Sequence, residues 1–172
     1  MNVTIRKATP EDAYGINYVS AHSWKETYTG LIDDNYLNEK INNIETNIPN
    51  TKEFLKDKDT YYVALIDNQI IGILHYDKSD NHKYNEYGKL KTLYLLKKYQ
   101  KLGIGKKLFQ IAVQGLIDMG YNKMYLECLK NSPTNNFYQH FGGKVVETID
   151  YSLKDLTLKA NIIIFNNLKI ND

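Results

Sequence analysis

Between Leu93 and Gly120 the chain runs an apolar strand, Leu93-Tyr94-Leu95-Leu96, into Gln100-Lys101-Leu102-Gly103-Ile104-Gly105 and then opens a helix. Strand, glycine loop and helix in that order constrain the fold more than any other stretch, because together they predict a phosphate cradle. The first N–H groups of a helix lack intrahelical acceptors and carry the positive end of the helix dipole, so a pyrophosphate can take up those donors. Glycines at 103 and 105 allow positive φ and close approach by a ligand. Downstream, Leu108, Ala112 and Leu116 follow i, i+4 spacing, Ile104, Phe109, Ile111 and Val113 lie beside them, and Gly120 stands where a C-terminal cap belongs.

Spacing decides which nucleotide motif the loop can be. The dinucleotide fingerprint G-x-G-x-x-G fails because Leu108 stands three residues after Gly105, and Gly105-Lys106-Lys107 does not complete the Gly-Lys-Ser/Thr of a phosphate loop. What remains, Q-x-x-G-x-G, resembles the acetyl-CoA-binding signature R/Q-x-x-G-x-G/A of the GCN5-related N-acetyltransferase (GNAT) superfamily. The resemblance extends to Asn131-Ser-Pro-Thr-Asn-Asn-Phe137-Tyr138-Gln-His-Phe141-Gly142-Gly143, which looks like the family's second motif, an Asn opening a short helix that ends in Phe-Tyr-x-x-x-Gly. Ile5 to Ala13 is similar to the opening strand and helix cap of many members, and Ser23-Trp24-Lys25-Glu26-Thr27-Tyr28 resembles the segment that follows in one branch.

Length and composition set outer bounds. A chain of 172 residues is one domain's worth, with no linker, repeat or low-complexity tract, so a single domain over 1–172 is expected. The N-terminus lacks a signal peptide's apolar region and no run approaches the roughly 20 apolar residues of a membrane span, which makes the cytoplasm the expected compartment and argues against a membrane partner. The one cysteine, Cys128, cannot form an internal disulfide and reads as a buried thiol. Net charge of +2 argues against a nucleic-acid partner. Lys97, Lys98, Lys101, Lys106 and Lys107 nevertheless gather around the glycine loop, where a polyanion such as coenzyme A would gain from them. The four histidines lack ligand spacing, so no metal is expected.

Pattern along the chain predicts a short strand over Val3–Arg6 and a helix entered through Thr9-Pro10-Glu11-Asp12 and running to about Ser23. One or two further helices follow up to Lys58, with Asp33-Asp34 as a start and Pro49-Asn50 as a break. Tyr61–Ile66 and Ile70–Tyr76 read as a hairpin through Asp67-Asn68-Gln69, and Leu90–Leu95 as the strand feeding the loop. After the long helix come a strand at 123–129, a short helix near 132–141 and strands at 144–151 and about 157–166. The order β-α-α-βββ-α-β-α-ββ is an α/β layering, and the resemblance implies a mixed, mostly antiparallel central sheet flanked by helices.

The resemblance also implies roles. Backbone groups of Leu93, Tyr94 and Leu95 would pair with the pantetheine arm, Leu95 offering its N–H to the thioester oxygen. Gln100, Lys101, Leu102, Gly103, Ile104, Gly105 and Lys106 would hold the pyrophosphate, and a β-branched residue at 103 or 105 should cost affinity by clash. Asn131 matches the position that commonly holds the pantetheine arm; a plain helix cap is the other reading. Tyr138 matches the tyrosine that protonates the departing thiolate in many members, against a reading in which it only packs. Members resembling this chain often carry a Glu six residues before Leu95, where Lys89 stands here, and a lysine is no base at neutral pH unless burial lowers its pKa. Glu86 is therefore the nearest general-base candidate in sequence, with Glu26, Glu127 or a water chain as other options. Trp24 and Tyr28, with Tyr36, Asp150 and Tyr151, could wall an acceptor site or serve as packing; such a wall would suit a cationic amine.

The reading that follows is an acetyl-CoA-dependent N-acetyltransferase acting on a primary amine, a small amine or polyamine, by direct transfer in a ternary complex without an acetyl-enzyme. The alternatives are a non-catalytic coenzyme A sensor, prompted by Lys89, a transferase whose acceptor is a protein or peptide N-terminus, and, more remotely, a nucleotide-binding protein of another family. The resemblance admits a homodimer through the last strands, which the chain itself does not show.

Overall fold

The computed structural model describes residues 2–169, so the two ends of the expected 1–172 domain, residue 1 and residues 170–172, lie outside the described residues. Seven strands are observed, β1 (Thr4–Lys7), β2 (Tyr61–Ile66), β3 (Gln69–Lys78), β4 (Gly88–Leu95), β5 (Met124–Leu129), β6 (Lys144–Leu153) and β7 (Leu156–Phe165). Five helices accompany them, α1 (Ala13–Tyr28), α2 (Asp34–Asn42), α3 (Ile48–Leu55), α4 (Ile104–Asp118) and α5 (Thr134–His140). The sheet order is β1-β2-β3-β4-β5-β7-β6, with β4–β5 parallel and the β1–β2, β2–β3, β5–β7 and β6–β7 pairs antiparallel. This is the mixed, mostly antiparallel α/β sheet flanked by helices that the resemblance implied; of the one or two helices expected up to Lys58 two are present, one more than the order β-α-α-βββ-α-β-α-ββ carries.

The extra helix has a local cause. Asp33 starts α2 as expected, its carboxylate accepting the N–H groups of Asn35 and Tyr36. Pro49, expected as a break, instead lies in the first turn of α3, where its missing N–H removes no helical bond. α1 likewise runs past Ser23 to Tyr28, because nothing before Gly30, whose φ is +83°, interrupts it. The β2–β3 connection is tighter than expected: Ile66 pairs with Gln69, leaving only Asp67 and Asn68, both at positive φ, as a two-residue turn of the type that matches strand twist.

By their contacts the described residues fall into two compact units, one formed by the chain up to His75 with Thr92–Ala112, the other by Tyr76–Lys91 with everything from Val113 on. In the first, Ile16 and Val19 of α1 pack with Val63 and Ile73 of β2 and β3 and with Leu96. Entry to α1 is fixed by Asp12, whose carboxylate accepts the Thr9 N–H at 2.8 Å and both guanidinium branches of Arg6 at 2.7 and 2.9 Å. In the second, Tyr125 is fully buried, stacked on Tyr84 with ring centres 4.8 Å apart and packed with Ile162.

Candidate active site

The glycine loop belongs to the first unit. A 3₁₀ turn over Lys97–Tyr99 leaves β4, Lys101 and Gly103 follow with φ of +62° and +77°, and α4 begins at Ile104. Positive φ on either side of Leu102 is the alternation that aims successive N–H groups into one concavity, an anion-binding nest. With the helical bond from Lys107 N–H to the Gly103 carbonyl at 3.1 Å, the N–H groups of Ile104, Gly105 and Lys106 fall in the first turn, ahead of the intrahelical bonding pattern. A Cβ at Gly103 would meet no protein atom within 4 Å, and the left-handed backbone at a φ of +77° itself strains a β-branched residue there. Lys97, Lys98, Lys101, Lys106 and Lys107 are all exposed around this loop.

The end of β4 is held by three bonds that the sequence did not reveal. Leu96 N–H donates to the Ile71 carbonyl at 3.0 Å, Lys97 N–H donates to the Glu26 carboxylate at 2.8 Å, and the Gln100 side-chain amide donates to the Leu95 carbonyl at 3.1 Å. Glu26 is thereby engaged as a cap on the turn. Gln100 ties the loop back to Leu95. Trp24 and Tyr28, one helical turn apart on α1, are both buried, with ring centres 4.8 Å apart, and Tyr36 and Tyr94 border the indole. The Lys40 ammonium lies 4.8 Å from the centre of the Trp24 ring, so a cation of the chain itself already faces that aromatic group.

The second unit contains the short helix and the charged groups. Asn131 is exposed, and it is the Ser132 hydroxyl that accepts the Thr134 N–H, at 3.2 Å, ahead of α5. Asn135, buried and unremarked in the sequence, braces the exit from β5 by donating to the carbonyls of Leu129, Lys130 and Ser132 while accepting from Asn161. Tyr138 is buried in α5 against the edge of Phe137; the glycine of Phe-Tyr-x-x-x-Gly is Gly142, which takes a φ of +91° just past α5, and a Cβ at the following Gly143 would come within 2.8 Å of the Tyr138 carbonyl. Cys128 is buried and its thiol is pushed up by that burial, against the opposing hydrogen bonds of Thr134 and Ser132.

Lys89 occupies a network. Its ammonium lies 2.7 Å from Asp80 Oδ1, 3.3 Å from Glu127 Oε1 and 5.4 Å from the centre of the Tyr125 ring. Asp80 also accepts from the Tyr125 hydroxyl at 3.1 Å and pairs with Lys91 at 3.3 Å. Burial alone would lower the Lys89 pKa; the Asp80 hydrogen bond and the charges of Glu127, Tyr125 and Asp80 outweigh it and raise it, so Lys89 stays an ammonium and is not a base. Glu86, the first sequence candidate, is highly exposed and sits 3.8 Å from Lys123, with no place in this network.

The family model of the GNAT acetyltransferases matches residues 21–143, and the chain belongs to that family. It is 26% identical over 163 residues to the uncharacterized N-acetyltransferase YuaI of Bacillus subtilis, covering 91% of this chain and 89% of that one. Among solved structures it resembles the PaiA N-acetyltransferase of Thermoplasma acidophilum in complex with coenzyme A, with a TM-score of 0.77 at 23% identity over 95% and 98% of the two chains. It also resembles yncA of Salmonella typhimurium with its cofactor acetyl-CoA, with a TM-score of 0.64 at 15% identity over 100% and 96%. The protein is an N-acetyltransferase, and acetyl-CoA is its acetyl donor. Among the described residues no helix is long and apolar enough to cross a membrane, and no group of His, Cys, Asp and Glu is arranged to hold a metal ion.

Proposed function

We propose that the chain is a single N-acetyltransferase domain that moves an acetyl group from acetyl-CoA directly to a primary amine of a small molecule or polyamine. The backbone of residues 101–106 takes the pyrophosphate, and the observation that carries this assignment is the alternation of positive φ at Lys101 and Gly103 ahead of the α4 start. The β4–β5 ladder supports the placement of the pantetheine arm. It consists of the Gly88↔Met124 and Lys89↔Tyr125 pairs, so Leu93, Tyr94 and Leu95 lie past its last rung, where an extended arm would run beside β4. Tyr138 returns a proton to the departing thiolate, held in place by α5 and the close approach of Gly143. Asn131, exposed ahead of α5 where the Ser132 hydroxyl takes the Thr134 N–H, holds the arm.

Trp24 and Tyr28 line the acceptor side through the edges their packing leaves, and Lys40 over the indole sets how much further positive charge that side accepts. Titration with acetyl-CoA by calorimetry, with free-thiol release followed in the same sample against polyamines, simple amines and short peptides, tests the reading. Binding with turnover on small amines supports it. Turnover on peptide N-termini alone moves the acceptor to protein, and tight binding without turnover makes the protein a coenzyme A sensor.

A further inference from the structure

Four carboxylates among the described residues are not exposed, Asp12, Asp77, Glu127 and Glu147, and their partners set them apart. Asp12 gives both oxygens to Arg6, and Glu147 gives both to the Lys83 ammonium, 2.8 Å from each, while also accepting the Tyr84 hydroxyl. Asp77 accepts the N–H of Lys78 and has further partners. Glu127 is bound through Oε1 alone, 3.3 Å from Lys89, and its side chain keeps 22% of its surface open to solvent. We propose that Glu127 is the group that takes the amine's proton during acetyl transfer, with Lys89, itself tied to Asp80, as the residue that positions it; this rests on the transfer reading above.

The register places the pair. Lys89 stands opposite Tyr125 at the last rung of the parallel ladder, and Glu127, two residues further along β5, projects from the same face of the sheet as Tyr125. Glu127 therefore sits just past the point where the ladder stops, with one oxygen tethered and Oε2 available. The charged and titratable groups about it are Lys89 from β4, with Asp80 and Lys91 behind that lysine, and the Tyr125 hydroxyl on its own strand; its register partner on β7 is the uncharged Ile162. The lysine that displaced the expected carboxylate thus organises a carboxylate supplied by the neighbouring strand.

The step balances as follows. The neutral amine nitrogen attacks the thioester carbonyl carbon, the C–N bond forms, and its N–H proton passes to Glu127 Oε2 directly or through one water. The tetrahedral adduct collapses with cleavage of the C–S bond, the electron pair leaves on sulfur, and the thiolate takes a proton from Tyr138. Glu127 then releases its proton to solvent and the tyrosinate regains one.

The test compares Glu127→Gln, Glu127→Asp, Lys89→Met and Lys89→Arg with the wild type, measuring acetyl-CoA affinity by calorimetry and the pH profile of kcat/KM by thiol release. Gln keeps an oxygen for the Lys89 ammonium, so the fold is retained. Glu127→Gln should keep acetyl-CoA affinity, lose about a hundredfold in kcat/KM and lose the acid limb of the profile, whereas Glu127→Asp, which keeps a carboxylate, should retain more activity. Lys89→Met should lower kcat/KM with acetyl-CoA affinity kept, because Glu127 loses the ammonium that fixes its Oε1, and Lys89→Arg should restore it. Wild-type rate and profile in Glu127→Gln, Asp no better than Gln, or parallel loss of acetyl-CoA affinity would each overturn the proposal. A wild type that binds acetyl-CoA yet acetylates no amine would instead overturn the transfer reading, and this proposal with it.

Discussion

In the loop at residues 100–106 the proposed ligand-binding groups are backbone N–H donors of consecutive residues, and the side chains largely point away to solvent. Around Lys89 the working groups are side chains from three separate stretches, Asp80, Lys89 with Lys91, and Tyr125 with Glu127. The two regions therefore fail in different ways. A backbone cradle tolerates loss of a side chain but not loss of a dihedral, whereas a side-chain network loses its arrangement when any one partner is removed.

The strongest way to break the contrast is Gly103→Val, which forces a β-branched residue to a φ of +77°. Strain of roughly 1–3 kcal/mol should weaken acetyl-CoA binding about tenfold or more, while Lys106→Ala should cost only a few-fold through lost charge. Equal losses in the two variants, read by calorimetry, would show that charge rather than backbone geometry holds the cofactor.

A double-mutant cycle sharpens the other side. Lys89→Met and Asp80→Asn should be coupled in urea unfolding by about 1 kcal/mol, because each removes the partner of the other, whereas Lys106→Ala and Lys107→Ala should be additive within about 0.5 kcal/mol. An additive Lys89 and Asp80 pair would show that the network is a set of independent surface contacts.

Acid should reveal the same network more weakly. Burial would raise the Asp80 pKa, but the hydrogen bond and charge of Lys89, the charge of Lys91 and the Tyr125 hydroxyl together bring it from 3.8 to about 2. A folded value below the unfolded one means that Asp80 contributes stability above pH 3.8 and loses it as pH falls towards about 2. Unfolding free energy should accordingly fall less steeply in Asp80→Asn than in the wild type across that window; matching slopes would remove Asp80 from the account. The smallest expected effect is that of Lys101→Gly, which relieves a positive φ of 62° and should change stability by less than about 1 kcal/mol, leaving acetyl-CoA affinity within a few-fold.

Much of the fold was legible because its signals are local. The α4 repeat of Leu108, Ala112 and Leu116 is buried as its spacing required, and Gly120, at a φ of +93°, closes the helix with the Tyr121 N–H returning to the Leu116 carbonyl. Pro49 misled because a proline reads alike as a breaker or as a first-turn residue, and only the start of α3 at Ile48 separates the two. Asn135 carried no signal, since a buried asparagine is recognised only by the three carbonyls converging on it. Lys89 read as a missing carboxylate because the carboxylates that approach it, Asp80 and Glu127, lie 9 and 38 positions away in the chain.

The sequence by itself determined the family, the donor and the position of the glycine loop, because those depend on residues within a few places of one another, where helix starts, turns and glycine dihedrals are set. Tertiary structure alone decided where each candidate carboxylate stands: it engaged Glu26 on the Lys97 N–H, left Glu86 in solvent and set Glu127 beside Lys89. The physical reason is that a charge acts over the few ångströms separating folded strands, and strand register, not distance along the chain, brings those partners together.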